Sequence, residues 1–262
     1  MVKYLPITES TTFVYDGIDS ADMGIINVNI DTGMLSEPFF ANREILQETI
    51  RGRERPYFYG VKYEPIRIDL NFAFKDTWDE AKIREVARWL RQDYYKEMYF
   101  SENPNRRFYV MYSGDSDLLH NSLRQGYVSI TMTNIDCYTY SPIYNSQIYD
   151  FSTNPTFKNI QIANEGDQEC FPIMYLEKIG AGNVKIINNS NNGQEFLIQN
   201  LTNGENLEID NSKEVIETDI PLIYRYDDHN DVWLSFVRGM NNLRVEGACK
   251  IRFKYQFKTL AG

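Results

Sequence analysis

Hydrophobic and polar residues alternate most cleanly over residues 65–75, where Ile66, Ile68, Leu70, Phe72 and Phe74 interleave with Arg67, Asp69, Asn71, Ala73 and Lys75. A period of two sends the five apolar side chains to one face, so the segment predicts a half-buried antiparallel strand. The alternation returns near the end of the sequence, with Cys249, Ile251, Phe253, Tyr255 and Phe257 set against Lys250, Arg252, Lys254, Gln256 and Lys258. Over residues 77–91 the period changes. Ile83, Val86, Ala87 and Leu90 fall at helical spacing, and Thr77 with Glu80 three residues on forms a capping box. Arg84, Arg88 and Arg91 occupy the rest of the surface toward the C-terminal end, where positive charge suits the dipole. One helix is predicted there. Further strands are predicted at 108–112 and 127–136, with a polar loop over 115–125 between them.

A shift toward Ser, Asn and Pro over residues 140–155 predicts a linker. Beyond it, short strands are predicted at 184–187, 196–198, 207–209 and 215–216. They are separated by Gly180-Ala181-Gly182, by Asn188 to Gly193, by Asn203-Gly204 and by Asn211-Ser212. Asn and Gly supply the positive φ that tight hairpins require. Short strands at this spacing indicate an antiparallel sandwich. The expected fold is mainly β: an N-terminal domain with one α-helix over residues 1–142, then a C-terminal β-sandwich over residues 143–262.

The composition adds contact surface to this picture. Of 262 residues, 19 are Tyr and 15 are Phe, which suits strands and interfaces alike. A formal charge of −10 argues against a duplex-binding face, though it does not exclude a pore through which nucleic acid slides without sticking. The three cysteines, Cys137, Cys170 and Cys249, are odd in number and far apart, so reduced, packed thiols are expected and no disulfide framework. No apolar run approaches the roughly 20 residues of a membrane helix. No secretory signal opens the sequence, so synthesis in the cytoplasm is expected.

Candidate chemistry is sparse. His120 and His229 sit in polar stretches and read as exposed loop residues. Asp227-Asp228-His229-Asn230-Asp231 offers oxygens to calcium, but it lacks the Gly and distal Glu of a known calcium loop, and an acidic turn explains it as well. No Gly-x-Ser-x-Gly elbow, Walker loop or His-Glu-x-x-His occurs, and no carboxylate pair stands out as a glycosidase dyad. No catalytic, cofactor or metal residues are expected. Residues 51–59 differ, for Arg51, Arg53 and Arg55 precede Tyr57, Phe58 and Tyr59. Such a run suits base stacking on single strands or a protein interface. Net acidity favours the interface, so Arg51, Arg53, Arg55, Tyr57 and Tyr59 are candidate oligomer contacts.

Arg53-x-Arg55-Pro56-Tyr57-Phe58-Tyr59-Gly60 runs into Tyr63-Glu64-Pro65, the alternating strand, Trp78, and a helix ending Ala87-Arg88-Trp89-Leu90, then Tyr94 and Met98-Tyr99-Phe100-Ser101. This order resembles the N-terminal domain of the distal tail (Dit) family of long-tailed, siphovirus-type phages. Residues 17–25 resemble that family's opening Ser-x-Asp-Phe-Gly segment, with Met23 where Phe is usual. Weaker echoes are Asn164-x-Gly166-Asp167, Pro172, the turns at Asn188 and Asn203, Tyr224-Arg225 and Gly239-x-Asn241. The resemblance implies a non-enzymatic tail-tip protein in the virion. Its first domain would close into a homohexameric ring around a channel for DNA, joining the tail tube protein to a hub or fibre protein. Its second domain, similar to galectins and carbohydrate-binding modules, would dock receptor-binding proteins. The rival readings are a lectin-like protein gripping cell-wall glycan through Tyr224, Tyr226 or Trp233, and a glycan hydrolase.

Overall fold

The computed structural model describes residues 11–28, 38–120, 126–153 and 156–260. The chain divides into two compact units, the first running to Tyr140 and the second over Ser141–Thr259.

The first unit contains β1 (Phe13–Tyr15), β2 (Ile18–Asp19), β3 (Ile25–Asn27), β4 (Arg43–Glu48), β5 (Tyr57–Tyr63), β6 (Arg67–Phe74), α1 (Glu80–Leu90), β7 (Lys96–Phe100), β8 (Phe108–His120), β9 (Gly126–Asn134) and β10 (Thr139–Tyr140). Seven of these strands form an antiparallel sheet in the order β2-β1-β7-β8-β9-β6-β3. The sheet curls so that Phe13, Tyr15 and Ile25, from its two ends, share one core with Leu70, Phe108 and Met132. β6 shows the alternation its sequence predicts. Ile68, Leu70 and Phe72 are buried, while Arg67 and Asp69 face solvent. On the outer face Thr131 and Ser129 of β9 donate hydrogen bonds to Asp69 and Asn71, so polar side chains bridge the strands where no core covers them.

Three local expectations are corrected. The polar stretch from residue 116 to 120, read as loop, belongs to β8 and pairs with β9 from Ser116↔Ile130 to His120↔Gly126. A partner strand supplies the backbone hydrogen bonds whatever the side-chain polarity, so non-local pairing overrides local composition. Residues 121–125 lie outside the described residues. The helix is capped by Asp79, not Thr77: the Asp79 carboxylate accepts from the Lys82 amide at 2.8 Å. Its buried face is Val86, Trp89 and Leu90, with Ala87 exposed. Trp89 stacks on Phe13 with ring centroids 5.7 Å apart, and its indole N–H donates to the Tyr15 carbonyl at 2.9 Å. A large side chain with a satisfied polar edge thus locks α1 to β1.

The second unit contains β11 (Tyr144–Asn145), β12 (Tyr149–Asp150), β13 (Phe157–Asn164), β14 (Ile173–Lys178), β15 (Gly182–Asn188), β16 (Gln194–Leu201), β17 (Asn206–Asp210), β18 (Val215–Thr218), β19 (Gly239–Glu246), β20 (Cys249–Tyr255) and β21 (Lys258–Thr259). One sheet runs β11-β20-β14-β17-β18, with β12 also on β20, and the other runs β13-β19-β15-β16. Met174, Ile209 and Phe253 from the first sheet meet Ile186, Phe196 and Val245 from the second in a single core, which makes the unit a β-sandwich. Gly247 turns β19 into β20 at φ +96°, and a Cβ there would sit 2.3 Å from the Asn183 carbonyl oxygen, so no other residue fits.

The expected linker is mostly structure. Tyr144↔Tyr255 and Tyr149↔Ile251 attach residues 144–150 to β20, and Phe151 is buried in the core. Its Ser and Asn content reflects short edge strands, which leave half their backbone to solvent or side-chain partners; residues 154–155 lie outside the described residues. Among the cysteines, Cys170 and Cys249 are buried, and burial pushes their thiols up to about 11 and about 12. Cys137 is only half-buried, contrary to expectation.

Trp89→Ala is expected to destabilise the first unit by about 3–5 kcal/mol through the cavity it leaves. Thermal unfolding followed by near-ultraviolet circular dichroism measures this. A melting curve superimposable on the parent's would show that α1 is not held through Trp89.

Candidate functional site

β4 and β5 form a two-stranded sheet of their own, paired from Arg43↔Tyr63 to Glu48↔Tyr57 with a bulge between Leu46 and Gln47. All six residues of β4 are exposed, and so are residues 51–59. Ile45 and Leu46 are adjacent, so one of them faces outward on each side of the ribbon. Phe58 and Tyr59 are 65% and 66% exposed. The structure therefore brings Arg51, Arg53, Arg55, Tyr57 and Tyr59 together on one hairpin. Arg53 lies over the Tyr57 ring at 4.6 Å, and the Tyr59 hydroxyl donates to Glu48 at 2.8 Å, which raises the Tyr59 pKa. Ile45 and Leu46 add exposed apolar surface to the two faces of the ribbon and were missed from sequence. The available signal was adjacent apolar residues in a strand, which no single buried face can accommodate. The same unit also holds an apolar groove of about 530 Å³ between α1 and the sheet, lined by Phe72, Phe74, Val86, Leu90, Tyr112 and Val128 among others.

In the second unit Tyr224, Tyr226 and Trp233 have three different environments. Tyr224 is 79% exposed. The Tyr226 hydroxyl accepts from the Ile216 amide at 3.3 Å. Trp233 packs against the core and against His229, ring centroids 4.6 Å apart. The expectation that His229 is exposed is wrong: it is buried between Phe196 and Trp233, and burial lowers its pKa. Its acidic neighbours hid an apolar pocket that only the tertiary packing creates. His120 is exposed and lies on β8 against Trp78, at a strand end rather than in a loop.

The dominant polar feature here is a buried ion pair. Arg225 donates two bonds to Glu205, at 2.8 and 2.7 Å, and a third to Asp228 at 2.8 Å. The Glu205 and Arg225 side chains are 0% and 6% exposed. Burial pushes the Glu205 carboxyl up, but Arg225, the Thr202 amide and the Thr218 hydroxyl outweigh it and hold the carboxyl below its ordinary value. Asp228 also accepts from Asn200, which with Arg225 lowers its pKa. The central carboxylate of the 227–231 tract is thus committed to a guanidinium. Among the described residues, no three His, Cys, Asp or Glu side chains converge as a metal cluster.

Two family models match the chain, one over each of its two units. The family described as phage tail protein N-terminal domain matches residues 8–136, and the phage tail C-terminal domain matches residues 138–255. The chain belongs to the phage tail proteins. It is similar along its length to the SPbeta prophage-derived protein YomH of Bacillus subtilis (strain 168), with 34% identity over 254 residues, covering 97% of this chain and 100% of that protein. Its fold matches SPP1 Dit (gp 19.1), described as a paradigm of hub adsorption apparatus in Gram-positive infecting phages. That match has a TM-score of 0.69 at 14% identity and covers 95% of this chain and 100% of that one. A chain of the phage P2 baseplate in its activated conformation with Ca matches with a TM-score of 0.58 at 8% identity, over 96% of this chain and 99% of that one.

Several echoed motifs of this tail protein serve packing. Asn164 accepts from the Gly166 amide and donates to the Phe236 and Gln168 carbonyls. Asn241 accepts from the Val237 amide and from Asn188, which in turn donates to the Ser235 carbonyl. These buried amides fasten the crossing segment before β19, which meets other backbone at the isolated Cys170↔Phe236 bridge.

Arg225→Met in the tail protein is expected to lower the stability of the second unit by about 3–5 kcal/mol at neutral pH, because Glu205 is left buried and unpaired. The pH trend changes too. A carboxyl depressed in the fold contributes stability that is complete above its unfolded pKa of about 4.3 and is lost as pH falls through the lower folded value. In the variant, Glu205 prefers the proton, so this group's contribution runs the opposite way. Urea denaturation at several pH values tests this; parallel stability curves for parent and variant count against it.

Proposed function

We propose that this phage tail protein is a distal tail component of the virion, in which six copies close into a ring through the first unit. The ring joins the tail tube to the host-adhesion device and leaves a channel for DNA. The observation that carries this reading is the β4–β5 hairpin. A two-stranded ribbon with Ile45, Leu46, Phe58 and Tyr59 in water is marginal by itself, and exposed strand edges invite pairing. Assembly supplies the missing cover. A head-to-tail contact, in which the hairpin of one copy meets a different surface of the next, closes into a ring when the rotation fits. Arg51, Arg53 and Arg55 set the geometry of that contact, because guanidinium forks bind carboxylates at fixed orientation. The second unit is a docking platform for receptor-binding or hub proteins and does no catalysis. The formal charge of −10 suits a channel that DNA crosses without adhering.

Native mass spectrometry of the full chain should show particles of six times 30.8 kDa. Arg51→Glu, Arg53→Glu and Arg55→Glu together should abolish them while leaving the circular dichroism spectrum unchanged. A strict monomer from the parent at high concentration, or normal hexamers from the triple variant, refutes the reading.

A further inference from the structure

Leu222 is 94% exposed, among the described residues of the segment between β18 and the buried Arg225. Pro221, Ile223 and Tyr224 beside it are exposed as well. Folding within one chain leaves most of the Leu222 and Tyr224 side chains in water. The segment is nevertheless held in one shape. Leu222 takes φ +62°, a left-handed conformation that a branched side chain adopts at a steric cost. At the front end, Asp219 accepts from the backbone and side-chain amides of Asn206, at 3.0 and 2.8 Å. At the back end, Arg225 is clamped by Glu205 and Asp228. An apolar tip is thus presented in a strained conformation by two polar anchors, so little ordering remains when it binds.

We propose that the loop of residues 219–226 is a preformed knob that inserts into another virion protein, whose socket is apolar and rimmed by lysine or arginine side chains. The charge pattern selects this partner. Glu217, Asp219, Asp227 and Asp231 are exposed carboxylates flanking the tip along the chain, and the loop's own cation, Arg225, is consumed by Glu205 and Asp228. Acidic residues flanking an apolar tip complement basic residues beside an apolar socket and speed encounter. A glycan is disfavoured because Leu222 and Ile223 offer no hydrogen-bonding groups, and Tyr226 and Trp233 are engaged internally. This inference rests on the reading that the protein is built into the tail tip with its second unit as the docking platform.

The test places the photo-crosslinker p-benzoylphenylalanine at Leu222 in whole virions, and maps the crosslinked peptides by mass spectrometry. In parallel, L222D/Y224S rings are titrated with the crosslinked protein in low and high salt. A crosslink into one other virion protein, at an apolar segment flanked by Lys or Arg, supports the proposal. So does an affinity that falls at least tenfold in the variant and weakens with salt, with ring mass and melting unchanged. Crosslinks confined to further copies of this chain or to cell-wall glycan, no crosslink, or undiminished affinity of the variant would each overturn it. Ring mass is read separately, so the ring can fail with the crosslink present, or survive with the crosslink lost.

Discussion

A β-strand offers only alternate side chains to any one layer, and the architecture of this protein depends on what covers each half. In the second unit two sheets cover each other, and Met174, Ile209 and Phe253 interdigitate with Ile186, Phe196 and Val245. In the first unit the seven-stranded sheet curls upon itself and α1 packs onto its core through Trp89. The outer faces are satisfied by polar bridges such as Thr131 to Asp69. The β4–β5 ribbon is the place where neither face is covered, and it is where assembly has most to gain.

Polar groups inside the sandwich follow the complementary constraint, that a buried donor or acceptor must be paired. Asn164, Asn188 and Asn241 hold the irregular backbone before β19. Arg225 and Glu205 do the same at higher stakes, since each charge is tolerable in the interior only while the other is present. That pair fixes where the acidic 227–231 tract lies, and it converts one of its carboxylates from a free anion into a structural clamp.

The two exposed apolar features share a logic. Each combines side chains that a monomer has no reason to expose with polar residues that orient them: Arg53 on Tyr57 in the hairpin, and the Arg225 clamp behind Leu222 and Tyr224 in the loop. In the proposed contacts, hydrophobic burial would supply the driving force and charge the choice of partner. In the proposed assembly, repeated copies and neighbouring components would cover both surfaces. If the proposed ring forms, its symmetry multiplies each weak contact, because a second engagement occurs at high effective concentration.

The sequence by itself determined the features that depend on nearest neighbours along the chain. Alternation identified β6 and β20, the 3.6-residue period identified α1, and Asn-Gly turns divided the sandwich strands. The arginine–aromatic run was visible because its residues are contiguous on one hairpin. What tertiary structure alone decided depends on partners far away in sequence. Residues 116–120 became strand because β9 paired with them, and residues 144–150 became edge strands because β20 did. His229 was enclosed by Phe196 and Trp233, and Asp79 displaced Thr77 as cap once the chain's path into α1 was set. Leu222 stayed in water for the same reason: its neighbours in sequence are apolar, but the core that might have taken them was already filled by the two sheets.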